Sequence, residues 1–255
     1  PVIHIPKTID NDYSGIAWTF GYWTAGDVAQ KILLNLKADA QSTDSYFIVE
    51  LMGRKAGWIT YAAGVAAESI LMISSEDIEG DTLDLDELGE KIADVILSRE
   101  NDRKPYGVIA VSEGLADKLP EGMKPKATDR HGNLLFSEAH VASHLAEIAK
   151  AKYREKTGID VKITAKQIGY EIRSGHPTGF DVVLGSMLGY GAAKFYMERN
   201  FGVMVSVTDN FDIKAVPFSE LIDGKTLMTK LRDVPRGSDL FTLKESLSYK
   251  RSLFD

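Results

Sequence analysis

The sequence predicts an α/β fold whose sheet is largely parallel. Short β-branched or aromatic runs alternate with segments whose apolar residues recur every three to four positions, the pattern of strands crossing over through helices. Acidic and basic residues gather just after several of the runs, where open α/β sheets bind ligands. No low-complexity linker and no repeat with a period of 20 to 50 residues divides the chain, so any division into two lobes has to come from strands crossing between them.

Composition narrows the function classes. With 255 residues, 44% of them hydrophobic, the chain can build a sizeable core. A net charge of −7 argues against broad nucleic-acid or anionic-membrane binding and leaves room for a local basic pocket that takes a small anion. The absence of cysteine excludes a disulfide framework and thiolate chemistry and suits a reducing compartment. No apolar run reaches the ~18 residues of a membrane span, and no secretory signal opens the chain. A soluble, cytoplasmic protein is expected. The chain starts with Pro1 and enters a core-type strand at once, which reads as part of something longer.

In order, residues 2–5 read as a buried strand that empties into Pro6-Lys7-Thr8-Ile9-Asp10-Asn11-Asp12. Two aspartates, a threonine and a lysine after a strand suit charged chemistry, and they equally suit a tight turn held by side-chain-to-backbone bonds. Residues 20–37 carry Ala25, Val28, Ala29, Ile32, Leu33 and Leu36 at helical spacing, with Thr19 as the expected cap. The strand at 46–51 runs into Met52-Gly53-Arg54-Lys55-Ala56-Gly57 and a small-residue helix at 58–68, a junction whose free N–H groups could receive an anion.

A strand at 70–73 is followed by a helix at 83–99. The acidic stretch 76–90 is explained by that helix's dipole, since it lacks the spacing of a calcium loop. The strand at 106–111 delivers Ser112-Glu113-Gly114, and 114–133 reads as a long surface excursion. In the helix expected at 138–156, His140 and His144 lie one turn apart, but Val141 stands where a zinc protease has its glutamate, so a metal there is disfavoured. A strand at 161–168 leads into Gly169-Tyr170-Glu171-Ile172-Arg173. A helix at 180–200 and strands at 203–207 and 213–216 follow, and the tail from 221 carries no clear pattern.

Four stretches stand in one order at strand ends: residues 6–12, Glu50-Leu51-Met52-Gly53-Arg54, Ser112-Glu113-Gly114, and 170–181. Together they resemble the phosphofructokinase family from Val2 to about Ala193. The resemblance implies a Rossmann-like three-layer sandwich with largely parallel sheets in two lobes. It places 1–14 and 170–215 in a donor lobe and 15–169 in a sugar-phosphate lobe, leaving 216–255 as a C-terminal segment of either.

It also implies glycolytic phosphoryl transfer to the 1-hydroxyl of fructose 6-phosphate, with Asp10 as catalytic base, Thr8 beside the transferred group and Asp12 holding magnesium. Arg54 would stabilise the transferring group, Met52 and Gly53 would contact the sugar phosphate, Glu113 would bind sugar hydroxyls and Arg173 the sugar's phosphate. The plainer alternatives are a turn for Met52 to Arg54, a cap for Glu113 and a surface ion pair for Arg173.

Lys7, where members that use ATP have glycine, and Tyr170, where they have histidine, resemble the pyrophosphate-dependent branch. Two arginines that the family lends across a subunit interface would fall at Ser45 and Thr164, so Lys166 is the expected replacement and another acceptor, such as sedoheptulose 7-phosphate, stays open. The family's glycine-rich phosphate loops precede the first motif and are not in this sequence. A homodimer or homotetramer is implied. The rival readings are an ATP-dependent member and a non-catalytic sugar-phosphate-binding regulatory subunit.

Overall fold

The structure is a computed structural model and describes residues 1–128 and 134–248. Its centre is a four-stranded, wholly parallel sheet with strand order β3-β4-β2-β5, formed by β2 (Tyr46–Leu51), β3 (Leu71–Ile73), β4 (Gly107–Ser112) and β5 (Ile163–Ile168). All six residues of β2 and of β4 are buried. Strands covered on both faces read as largely continuous apolar runs rather than alternating ones, which is why both were plain in the sequence, β2 to the residue and β4 shifted by one.

Strand parity then sorts the side chains into two cores. Tyr46, Ile48, Ile109 and Val111 face α3 (Leu85–Asn101) and α4 (Val141–Thr157). Phe47, Val49, Leu51, Val108 and Ala110 face α1 (Tyr22–Thr43) and α2 (Trp58–Ala66). Helices on both faces of a parallel sheet make the expected three-layer sandwich.

A second, three-stranded sheet has the order β1-β6-β7. β1 (Ile3–His4) lies parallel to β6 (Val203–Val207), and β7 (Ile213–Pro217) returns antiparallel to it. A third core forms where α6 (Gly179–Met197) packs on this sheet through Leu184, Leu188 and Phe195. The short helix α7 (Phe218–Leu221) flanks these strands, α5 (Tyr170–Arg173) packs its Ile172 into the core beside α1, and α8 (Asp239–Leu247) rejoins the larger sheet's layers by placing Phe241 against Tyr61 of α2.

Several elements differ from the sequence reading, each for a local reason. The strand expected at 2–5 is neither that long nor buried: it pairs with β6 alone, and Val2 and Ile5 are exposed. Thr19 does not cap α1. Its N–H instead donates to Asn11 Oδ1 at 3.0 Å, and α1 begins after Gly21 in the left-handed region. The cap is Asp181 of α6, whose carboxylate accepts N–H groups from Gly21 and Thr24, each at 2.7 Å. An acid at a helix N-terminus offsets the dipole as well as the unpaired donors.

The excursion expected at 114–133 starts as a 3-10 turn, Glu113–Lys118, with Leu115, Ala116 and Leu119 in the core; residues 129–133 lie outside the described part. His140 is the left-handed residue before α4 rather than part of it, and among the described residues no group of three or more histidine or acidic side chains is placed to hold a metal. No helix among them is long and apolar enough to cross a membrane.

Candidate active site

Two strand ends and one loop build the site. β2 and β4 pair in register to their last residues, Leu51 opposite Ser112, so Met52-Gly53-Arg54 and Glu113-Gly114 emerge side by side. Gly53 has φ of 138°, a conformation that side chains disfavour, and a Cβ there would stand 3.0 Å from Ala56 O. Its peptide locks the two ends together: Gly53 N–H donates to Glu113 Oε1 at 3.3 Å, and Ser112 Oγ donates to Gly53 O at 2.9 Å.

The loop after β1 approaches from the other sheet. The backbone N–H of Arg54 donates to the Asp10 carboxylate, while Asp10 N–H donates to Thr8 Oγ1 at 3.1 Å. The intervening Asn11 is fully buried with φ of 55°.

A cleft of about 490 Å³ opens beside these ends. Met52, Arg54, Glu113, Tyr170 and Arg173 line it, together with Glu50, Phe136 and Gln167. Arg54 Nη2 donates to Leu134 O at 2.7 Å, and its guanidinium carbon lies 5.6 Å from the Phe136 ring centroid. Glu50 forms the floor: its carboxylate accepts from Ala142 N–H and Gln167 Nε2, each at 3.0 Å, tying β2 to α4 and β5.

Carboxylates withdrawn from water dominate the electrostatics. Burial pushes Glu113 up to about 7, and the charges of Asp10 and Glu50 add to the rise. Asp12 is pushed up to about 6, first by burial and then by Asp10. Burial also raises Asp10, against the Arg54 N–H and the charges of Arg173 and Arg54. A carboxylate raised by its surroundings and facing cations is placed to act as a general base.

Magnesium is held by one or two carboxylates together with substrate phosphates and water. Asp12, its carboxylate buried beside that of Asp10, fits such a half-built hard-oxygen site.

Lys166, expected to serve across a subunit interface, lies outside its own chain's cleft: its register partner is Val49, whereas Gln167, which lines the cleft, pairs with Glu50. One other expectation parts from the geometry. The N–H groups expected to be free for an anion at the start of α2 are occupied by the chain's own acids, Gly57 donating to Glu76 Oε1 at 2.8 Å and Gly53 to Glu113. Lys7 and Tyr170 are exposed, Tyr170 at the rim of the cleft and Lys7 outside it. Ser45 is fully buried, its hydroxyl 2.7 Å from that of Thr43.

The residue that sequence reasoning missed is Arg232. Its Nη2 donates to Asn11 O at 2.9 Å and to Ala17 O at 3.0 Å. A lone arginine in a polar tail gives no periodic signal, and no local feature of the tail points to it.

The model of the family described as "Phosphofructokinase" matches residues 1–196. A pyrophosphate–fructose 6-phosphate 1-phosphotransferase of Thermotoga maritima is 36% identical over 91% of this chain and 58% of its own length. An ATP-dependent 6-phosphofructokinase of Spirochaeta thermophila is 28% identical over 92% of this chain and likewise 58% of its own length. The chain thus spans about three-fifths of these relatives. A pyrophosphate-dependent phosphofructokinase structure from Marinobacter aquaeolei superposes with a TM-score of 0.66 at 19% identity, covering 99% of this chain and 62% of that one, a likeness of fold.

Proposed function

Because the chain belongs to the phosphofructokinase family, we propose that the full natural chain moves a phosphoryl group from pyrophosphate to the 1-hydroxyl of fructose 6-phosphate, giving fructose 1,6-bisphosphate. The observation that carries this reading is that Arg54 and Glu113, from two strand ends, line one cleft, while the Asp10 carboxylate of the neighbouring loop accepts the Arg54 N–H and lies close enough to Glu113 to raise it.

Phosphoryl transfer asks a protein mainly for positioning and for neutralisation of charge around an in-line displacement. Asp10 takes the proton of the attacking hydroxyl. Arg54 stands over the transferring group, Thr8 orders the loop beneath it, and Asp12 is the residue that would hold magnesium, which when bound neutralises phosphoryl oxygens. Glu113 accepts from sugar hydroxyls, Met52 and Gly53 form the wall behind them, and Arg173 with Tyr170 receives the sugar's phosphate at the rim. Residues 1–14 and 170–215 belong to the donor lobe and 15–169 to the sugar-phosphate lobe, with the ligands bound between them, in a homodimer or homotetramer.

Pyrophosphate as donor rests on Lys7. A small, highly charged donor gains from an ammonium at the loop, and a nucleotide is hindered where that side chain takes up space; specificity of this kind can be set by a clash with the wrong ligand. The match to relatives named as ATP-dependent favours ATP as the second reading.

The test measures kcat/KM for both donors at saturating fructose 6-phosphate in the full natural chain and in Lys7→Gly. We expect the wild type to prefer pyrophosphate, and the variant to lose that activity, more steeply at low ionic strength, while gaining some with ATP. A wild type that prefers ATP overturns the donor assignment. A wild type inert with both donors overturns the catalytic reading in favour of a sugar-phosphate-binding regulatory role.

A further inference from the structure

The polar tail returns to the catalytic loop. Residues 230–232 run antiparallel beside 12–14: Arg232 N–H donates to Asp12 O at 2.7 Å, Ser14 Oγ donates to Leu231 O at 3.2 Å, and Tyr13 and Leu231 form a β-bridge. From this strap the guanidinium of Arg232 reaches beneath the loop. Nη2 donates to Asn11 O and Ala17 O, and Nε donates to Asn11 O at 3.3 Å. Its carbon lies 4.7 Å from the centroid of the Trp58 ring, whose Nε1 donates to Arg232 O at 2.9 Å.

The strap is itself anchored, since Glu76 Oε1 accepts Val234 N–H at 3.1 Å and Glu76 O accepts from Arg236 Nε at 2.6 Å. The carbonyl gripped by the guanidinium belongs to the residue between Asp10 and Asp12. That residue holds a left-handed conformation, uncommon for side chains, and its buried Nδ2 has no partner among the described residues. A strained peptide persists only where its surroundings over-determine it, and Arg232 supplies that constraint.

We propose that Arg232 is a positioning residue that fixes the peptide between Asp10 and Asp12, and with it the direction of both carboxylates. The proposal rests on the phosphotransferase reading for its kinetic consequence and on geometry alone for its structural one. Lysine cannot copy the fork, because its compact ammonium lacks the planar donors that reach two carbonyls while stacking on an indole.

The experiment uses the full natural chain with Arg232→Ala and Arg232→Lys. Misplacing a catalytic group by about 1 Å commonly lowers a rate about a hundred-fold. Arg232→Ala is therefore expected to lower kcat ten- to hundred-fold with KM for fructose 6-phosphate little changed, millimolar guanidinium is expected to restore much of the loss, and Arg232→Lys to fall between. Amide hydrogen exchange at residues 10–13 should accelerate in Arg232→Ala and slow again with guanidinium, a readout that stands whether or not the wild type turns over.

A kcat within two-fold of wild type, a KM that rises as far as kcat falls, or exchange at 10–13 unmoved by guanidinium overturns the proposal. If Arg232→Ala does not fold, Arg232→Lys carries the same comparison, and wild-type kcat and exchange in that variant overturn it. A wild type without turnover defeats the phosphotransferase reading and leaves the exchange result to decide the clamp.

Discussion

Glu113 is 7% exposed and its carboxyl is pushed up to about 7 by burial and by neighbouring acids, so the protein holds a proton there that the unfolded chain releases near its ordinary 4.5. The sign of the linkage follows. Between those two values the unfolded state binds fewer protons, so the stability contributed by the raised carboxyl is complete at low pH and is lost as pH rises through about 7. Glu113→Gln keeps an acceptor for Gly53 N–H and removes the ionisation. Its advantage in Tm over wild type should be near zero below pH 4.5 and grow to a plateau above pH 7, the underlying stability difference having a ceiling of about 3 kcal/mol. A Tm difference that is flat with pH would mean the carboxyl is not held out of water. Asp12, raised to about 6, should act likewise in a lower window. Asp10 is judged by rate instead: Asp10→Asn keeps the shape and loses the base, so kcat should fall about 10² to 10⁴-fold while fructose 6-phosphate binding stays close to wild type, and a near-normal kcat in steady-state assays rejects its role as base.

At the scale of elements, α8 is attached by one buried ion pair. Lys244 is 3% exposed and donates to Asp77, which also accepts from Tyr61 Oη at 2.7 Å and Ser74 N–H at 2.9 Å; the ammonium lies 4.0 Å from the Phe241 ring centroid. Removing one partner of a buried pair leaves a charge without compensation and commonly costs about 3–5 kcal/mol, whereas replacing both is often near neutral. Lys244→Ala should therefore shift urea unfolding by several kcal/mol, and Lys244→Met combined with Asp77→Asn should recover most of the loss. Equal losses in the single and double variants would show that packing of the stem, not charge, holds the helix. This attachment also marks where sequence reading stopped. β2 and β6 were legible to the residue because runs covered on both faces are continuously apolar. The first loop, both strand ends and Arg173 were legible because their residue types stand in family order. The strap and α8 were not, since their hold on the molecule comes from Arg232, Glu76 and Lys244, single polar side chains whose partners lie more than 150 positions away.

For the molecule as a whole, the two ligands depend differently on this chain. The cleft proposed for the acceptor is lined, among the described residues, by side chains between Glu50 and Arg173, at the end of the four-stranded sheet. The proposed donor side draws on Lys7, Thr8 and Asp12, beside a three-stranded sheet whose first strand is two residues long, and the chain covers 58% of the length of its pyrophosphate-named relatives. We expect the 255-residue chain to bind fructose 6-phosphate without turning it over. A ligand at a hundred times its Kd stabilises the fold by about 2.7 kcal/mol, which for a domain of this size raises Tm by roughly 5 to 10 °C. Calorimetry with the sugar phosphate should show that shift, Arg173→Ala should abolish most of it, and pyrophosphate alone should give much less. A product signal from the purified 255-residue chain with either donor would show that the donor site is complete within it. A missing shift with fructose 6-phosphate, alongside one with another sugar phosphate, would move the acceptor assignment and leave the cleft in place.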